Sequence, residues 1–322
     1  MAKNKIKKKV IIDCDPGVDD CAAIALSLYD DEMDIELITT VCGNLSIDKV
    51  TRNILHVLEL FNRTDIPVAK GATKALYRIS PDATFIHKKE GLGGYIPPKT
   101  VKTQPIEQGA VEAMYEAIKK NKGNIYILAL GPQTNIAQLL LDHPDVKDML
   151  CGIYGEGCSP YGKEGEGKWT NYISFNASTD PEALDIVVNS GIPITYVPSR
   201  MGREYSHFTE EEVYEIQKIN DAGEFIFEMY SNYWEPGYED KRAATNDTCA
   251  ILAFRSPKLF KIEKSKFVVD LEERPGERPG RTYITPDKKG NVDFVVGVNR
   301  KKLHKFYFEA IKKLDFLKIY NK

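Results

Sequence analysis

Lys9-Val10-Ile11-Ile12-Asp13-Cys14-Asp15-Pro16-Gly17-Val18-Asp19-Asp20 sets a β-branched apolar run directly against four carboxylates within eight residues. The apolar run reads as a buried strand, because Val and Ile fit a pleated surface that is covered on both sides. Pro16-Gly17 makes a sharp turn, and the Ala- and Leu-rich stretch from Cys21 to Tyr29 reads as a helix. Alternation along the strand places Asp13 and Asp15 on one side, while Asp19 and Asp20 enter the first helical turn. Helix capping and the helix dipole account for one or two of these carboxylates. Four cannot share one bend without raising one another's pKa, and a hard cation such as Ca²⁺ or Mg²⁺ removes the conflict.

Outward from this stretch the same rhythm continues. Ile35 to Val41, Pro67 to Ala69, Asn124 to Leu130 and Ile194 to Val197 read as short strands, with helices over Ile47 to Phe61 and Thr134 to Leu141. Apolar strands alternating with helices predict an α/β fold, a mostly parallel sheet with helices on both faces. In such sheets ligands sit beyond the carboxyl ends of the strands. Two glycine-rich stretches, Ile79 to Gln104 and Gly155 to Asn171, break the rhythm and are expected to be lids. Phe267 to Val269, Arg281 to Thr285 and Val292 to Val298 predict a small antiparallel extension, and Lys302 to Ile319 a closing amphipathic helix. With no linker or repeat evident, the 322 residues are expected to form one domain.

Composition excludes several functions. Hydrophobic residues make up 42% and charged residues 28%, a globular balance. A net charge of −3 gives no general attraction to nucleic acid. The lysine-rich opening from Lys3 to Lys9 precedes too short an apolar run for a secretory signal, and no stretch is long enough to cross a bilayer. Cys14, Cys21, Cys42, Cys151, Cys158 and Cys249 are scattered without a CxxC pair, which argues against zinc and disulfides and for a cytoplasmic location.

The acidic turn resembles the calcium-holding signature of the inosine-uridine preferring nucleoside hydrolase family. Further segments resemble that family in order: Val41-Cys42-Gly43-Asn44, Gly131-Pro132-Gln133-Thr134-Asn135-Ile136-Ala137, Phe175-Asn176 with Asp180-Pro181-Glu182-Ala183, and Asn246-Asp247-Thr248-Cys249-Ala250. Phosphatases of the haloacid dehalogenase class also open with Asp-x-Asp after a first strand, but their scheme leaves Asp19 and Asp20 without a role.

The resemblance implies a Rossmann-like fold and Ca²⁺-dependent hydrolysis of the N-glycosidic bond of a ribonucleoside. It implies that Asp15, Asp20, Asp247 and the carbonyl of Leu130 hold the ion, with two ribose hydroxyls and water completing the shell. Asp15 doubles as general base on that water. Asp19, Asn44 and Asn176 are expected to bind the sugar, and Asp13 to orient the catalytic carboxylate or the turn. His87 matches a histidine that relatives place in the pocket, and Trp234, Tyr230 and Tyr238 lie where relatives send aromatics toward the base. A homodimer or homotetramer is the expected assembly, with a nucleoside as the partner.

The chain departs from the family at three points. Asn246 stands where many members carry a histidine acid, and an amide cannot deliver a proton at neutral pH. Ser174 stands where relatives commonly have a glutamate, a loss that Glu156 could offset. Arg200 and Arg203 make the segment after residue 198 unusually basic, which raises a 5′-substituted or phosphorylated ribose as an alternative substrate. A ribose- or nucleoside-binding relative with weak or no turnover is the alternative from a different class.

Overall fold

The computed structural model describes residues 7–79, 83–160, 173–275 and 278–317. Strands β1 (Lys8–Cys14), β2 (Met33–Thr40), β3 (Val68–Lys70), β4 (Ile125–Ala129), β5 (Gly152–Cys158) and β6 (Ile194–Pro198) carry the first two thirds of the chain. The two-residue strands β7 (Phe208–Thr209) and β8 (Arg242–Ala243) pair apart from the rest, and β9 (Phe260–Asp270), β10 (Arg281–Pro286) and β11 (Val292–Val298) close the sheet. Its spatial order is β10-β9-β11-β6-β5-β4-β1-β2-β3. The pairs from β3 across to β11 are parallel, and β9 runs antiparallel to both β11 and β10. The expected antiparallel extension is therefore continuous with the main sheet, joined through β11 on β6.

The helices are α1 (Val18–Ser27), α2 (Ile47–Leu60), α3 (Thr84–His87), α4 (Ala110–Lys120), α5 (Thr134–Asp142), α6 (Phe175–Thr179), α7 (Pro181–Val188), α8 (Glu210–Gln217), α9 (Asp221–Tyr230), α10 (Asn246–Arg255) and α11 (Arg300–Ile311). Strand alternation divides the core in two. Val10 and Ile12 of β1 face a cluster built with α1, α2, α9, α10 and α11. Ile11 faces the opposite cluster, with Met114 of α4, Ile136 of α5 and Leu184 of α7. Apolar residues on both faces of β1 explain why its sequence shows no polar alternation.

Two expectations change. Gly155 begins no loop: β5 runs through it to Cys158, in the middle of the sheet. Its glycines admit neighbours, since a Cβ at Gly155 would fall 2.5 Å from the Tyr196 ring. Residues 161–171 of that expected lid lie outside the described residues, as do the basic opening through residue 6 and residues 318–319 of the closing helix, whose helical part ends at Ile311. No helix among the described residues is long and apolar enough to cross a membrane.

The chain leaves β1 toward β2 on one side, and β4 lies on the other. This reversal opens a crevice above the carboxyl end of β1, the usual ligand position in open α/β sheets.

Candidate active site

Above that crevice lies a cavity of about 280 Å³. Asp15 follows β1, Asn44 follows β2, Leu130 follows β4, Glu156 lies in the last three residues of β5 and Ser199 follows β6, so consecutive strand ends supply its floor. Asp19 and Asp20 reach it from the first turn of α1, and Asn246 and Asp247 from the first turn of α10. α3 brings His87 over the top, which makes part of the first long loop a wall of the cavity.

The acidic turn is held from several sides. Asn44 donates its amide to Asp15 Oδ2 at 2.7 Å, and its side chain to the Asp15 carbonyl at 3.0 Å and to Asp20 Oδ2 at 3.2 Å. Gly17 N–H closes on Asp20 Oδ2 at 3.1 Å. Gly43 is required beside them, because a Cβ there would fall 2.1 Å from Asp15 Oδ2. Asp13 faces away from the cavity: its Oδ1 accepts from Thr39 Oγ1 at 2.6 Å and Asn135 Nδ2 at 2.8 Å. It ties β1 to β2 and α5, and touches the cavity only through the turn it steadies.

One carboxylate oxygen each from Asp19, Asp20 and Asp247 lies within 4.8 Å of the others, and all three residues are buried. Burial, and next the charge of Asp20, push the carboxyls of Asp15, Asp19 and Asp247 well above the ordinary range. Asp20 itself is raised by burial to about 6, against hydrogen bonds from neighbouring amides and from Asp247. Glu156 is raised by burial to about 8. Arg203 and Arg278 also line the cavity, and Arg203 donates Nε to Glu235 Oε2 at 2.7 Å. Asp20 Oδ1 is buried with no hydrogen-bond partner. Hard oxygen donors, excess negative charge and an acceptor without a donor fit a hard divalent cation.

The sugar and base candidates divide unevenly. Asn176 Nδ2 donates to the Leu130 carbonyl at 2.6 Å and to Glu156 Oε2 at 3.0 Å. Ser174 lines the cavity, its Oγ 3.3 Å from Ser199 Oγ. Asn246 Nδ2 donates to Asp19 Oδ2 at 3.3 Å, and its Oδ1 is buried without a partner. His87 is no solvated loop residue: Val18 N–H donates to its Nδ1 at 3.1 Å, which leaves the proton on Nε2. Burial holds this ring at a pKa of about 3, so at neutral pH it is a hydrogen-bond donor and not a cationic acid.

Trp234 and Tyr230 do not line the cavity. Tyr230 is fully buried against Phe208, Tyr233 and Tyr307, and Trp234 packs on the core under the Lys241 ammonium. Tyr238 packs beneath Arg242. Of the aromatics in this segment Tyr233 is the one that lines the cavity, which Phe85 and Phe175 also border: its ring lies 5.2 Å from His87, and its side chain bonds Asp19. Tyr233, Glu235 and Arg278 are cavity residues without a sequence signal of their own. For Tyr233 the nearest cue is that it sits in the turn after α9, where the helical face that buries Tyr230 no longer applies.

The sequence profile described as inosine-uridine preferring nucleoside hydrolase matches residues 10–305. The chain is 33% identical over 308 residues to the pyrimidine-specific ribonucleoside hydrolase RihA of Escherichia coli O1:K1, covering 89% of this chain and 96% of that protein. Among solved structures, it resembles the plant nucleoside hydrolase PpNRh1 with a TM-score of 0.83 and 26% identity, over 95% of this chain and 99% of that one. It resembles the purine-preferring ribonucleoside hydrolase from Gardnerella vaginalis with the same TM-score and 27% identity, over 95% and 98% of the two chains.

Proposed function

Because the chain belongs to the inosine-uridine preferring nucleoside hydrolase family, we propose that it hydrolyses the N-glycosidic bond of ribonucleosides at the acidic crevice, with Ca²⁺ and with Asp15 as general base. The observation that carries this reading is the set of buried carboxylates whose strongest charged influences, among the described residues, are one another. Asp15, Asp20, Asp247 and the Leu130 carbonyl would hold the ion, and the Asp19 oxygen in the same cluster stands ready for a ribose hydroxyl. An ion held there would supply charge neutralisation and Lewis acidity toward water and sugar hydroxyls.

The chain's own groups then divide the work. Asp15, anchored by the Asn44 amide, takes a proton from the water that attacks C1′. As the bond from C1′ to the base nitrogen breaks, positive charge grows on the ribosyl ring. The surrounding carboxylates stabilise that charge without reorganising. Asn44 and Asn176 orient the sugar. His87 Nε2–H and the Tyr233 ring face the leaving base; Asn246 positions Asp19 and supplies no proton.

An unsubstituted ribose is favoured over a phosphorylated one. Arg203 is bonded to Glu235 and Arg200 to Glu204 at 2.7 Å, so the basic segment spends its charge on neighbouring carboxylates. Assembly as a homodimer or homotetramer belongs to the same proposal and is checked by light scattering.

Asp15→Asn tests the assignment of the base. The near-isosteric amide should leave the circular dichroism spectrum unchanged and lower turnover by about 10²–10⁴-fold. A rate close to wild type would remove Asp15 from the chemistry. Intact nucleoside affinity without turnover in the wild-type protein would favour the binding-only reading.

A further inference from the structure

One buried histidine has no part in the chemistry above. His304, on the closing helix α11, bonds in two directions. Its Nδ1 lies 3.0 Å from Glu212 Oε1 of α8, and its Nε2 lies 2.9 Å from the Ser206 carbonyl. Glu212 is held at about 2 and is ionised, so both partners only accept, and each ring nitrogen meets its partner as an N–H donor. Three elements meet at Ser206. Its carbonyl also accepts from Thr245 Oγ1 at 3.1 Å, and its own hydroxyl donates to the Met201 carbonyl at 2.7 Å. Met201–Tyr205 is a single π turn that carries Arg203 into the cavity, and Thr245 directly precedes α10, whose first turn carries Asn246 and Asp247. A threonine in that place ordinarily caps its helix. Here the hydroxyl makes no bond to the helix amides and is spent on Ser206. The π turn and α10 also touch through their backbones. Thr245 N–H reaches the Gly202 carbonyl at 3.4 Å, and a Cβ at Gly202 would fall 2.4 Å from the Asn246 nitrogen. Packing that close passes a shift of Ser206 on to Asp247.

We propose that His304 is a positioning residue for the ion-holding carboxylate Asp247, acting through the Ser206 carbonyl and Thr245. This rests on the calcium reading of the acidic crevice given above. The ring touches neither the crevice nor its carboxylates. Its Nε2–H fixes the carbonyl that Thr245 uses, while Glu212, itself tied to Arg300 and the Thr209 amide, fixes the ring. The relay runs from the closing helix to the first turn of α10. Outer partners that hold an ion-binding carboxylate in place tune affinity by about 10–100-fold without touching the ion.

The test is calorimetric titration of calcium into the wild type, His304→Gln and His304→Asn. A glutamine amide nitrogen reaches the place of Nε2 and keeps the Ser206 bond, whereas an asparagine amide reaches only the place of Nδ1 and keeps Glu212. His304→Asn should weaken calcium binding about tenfold, and His304→Gln should bring it back to within about threefold of wild type. Each variant loses one bond of the ring, so a purely structural role predicts equal losses. Equal losses, no loss in either, or the reverse order overturn the proposal. Thr245→Val, which keeps the ring and removes the hydroxyl, should weaken calcium by a factor like that of His304→Asn. The two changes combined should cost no more than the larger alone, because both break one relay. Additive losses overturn the relay. So does unchanged affinity in Thr245→Val, which can be read even where a histidine variant does not fold. Nucleoside cleavage by the wild type is scored separately. The expected pattern of calcium affinities without cleavage sinks the hydrolase and keeps His304. Cleavage with wild-type affinity in every variant sinks His304 alone, and a wild type that binds no calcium sinks both.

Discussion

Enclosed carboxylates meet opposite fates in two parts of this protein. At the antiparallel end, burial works to raise Asp270, but the Glu272 amide and the Arg281 and Arg274 guanidiniums outweigh it and hold the group at about 2. Beside α8, Glu212 is held at about 2 in the same way, with His304, the Thr209 amide and Arg300 outweighing burial. At the β1 turn the carboxylates face one another instead, and burial together with like charge drives them upward. The chain carries its own counter-charge where acids serve the fold. At the crevice the acids face one another, and in the proposed function a bound cation supplies the counter-charge.

Asp247→Asn should produce the largest effect. Turnover should fall by about 10²–10³-fold or more, and the calcium-induced rise in melting temperature should disappear. The chelated variant should nevertheless be at least as stable as chelated wild type at pH 8, because one repelling charge is gone. A chelated variant that melts well below wild type would break the comparison.

The pH profile of the chelated wild type comes next. Raised folded-state pKa values, about 6 for Asp20, 7 for Asp13 and 8 for Glu156, contribute stability that is present at low pH. That stability is lost as pH rises through those values. The melting temperature without calcium should therefore fall between pH 5.5 and 8, and saturating calcium should flatten the slope. Identical slopes with and without the ion would contradict the account.

Acids matched by the chain itself should behave otherwise. Asp270→Asn leaves the Arg281 guanidinium, which has no exposure, short of its counter-charge, and should cost about 2 kcal/mol in urea unfolding with or without calcium. Calcium-dependent destabilisation there would erase the distinction between the two regions. Glu212→Gln should cost less, about 0.5–1 kcal/mol, since its side chain is 28% exposed and solvent screens the pair. The sign is that of a lowered carboxylate: the contribution is full above about pH 4.5 and fades as pH falls toward 2.

Much of this was legible in the sequence, for identifiable reasons. β1, β4 and β6 announce themselves because strands buried on both faces are largely apolar, β2 shows itself through its β-branched run from Ile38 to Thr40, and the crowding of Asp15, Asp19 and Asp20 is itself a physical signal. Asp13 was harder. Alternation relates it to Asp15 only while the strand lasts, and Pro16 and Gly17 turn the chain so that Asp15 looks into the cavity and Asp13 toward Asn135. β5 was hidden by glycines that make room for Tyr196 and Asn176, a tertiary requirement with no local trace. Tyr233 was masked by its neighbours, because four aromatics within nine residues, Tyr230, Tyr233, Trp234 and Tyr238, carry no mark of which one borders the cavity.

The most direct measurement is release of reducing sugar from a panel of purine and pyrimidine ribonucleosides, run with calcium, with a chelator, and with calcium restored. The account predicts release in calcium, loss on chelation and recovery on restoration. Release that ignores the chelator, or no release from any nucleoside at any calcium concentration, would contradict it.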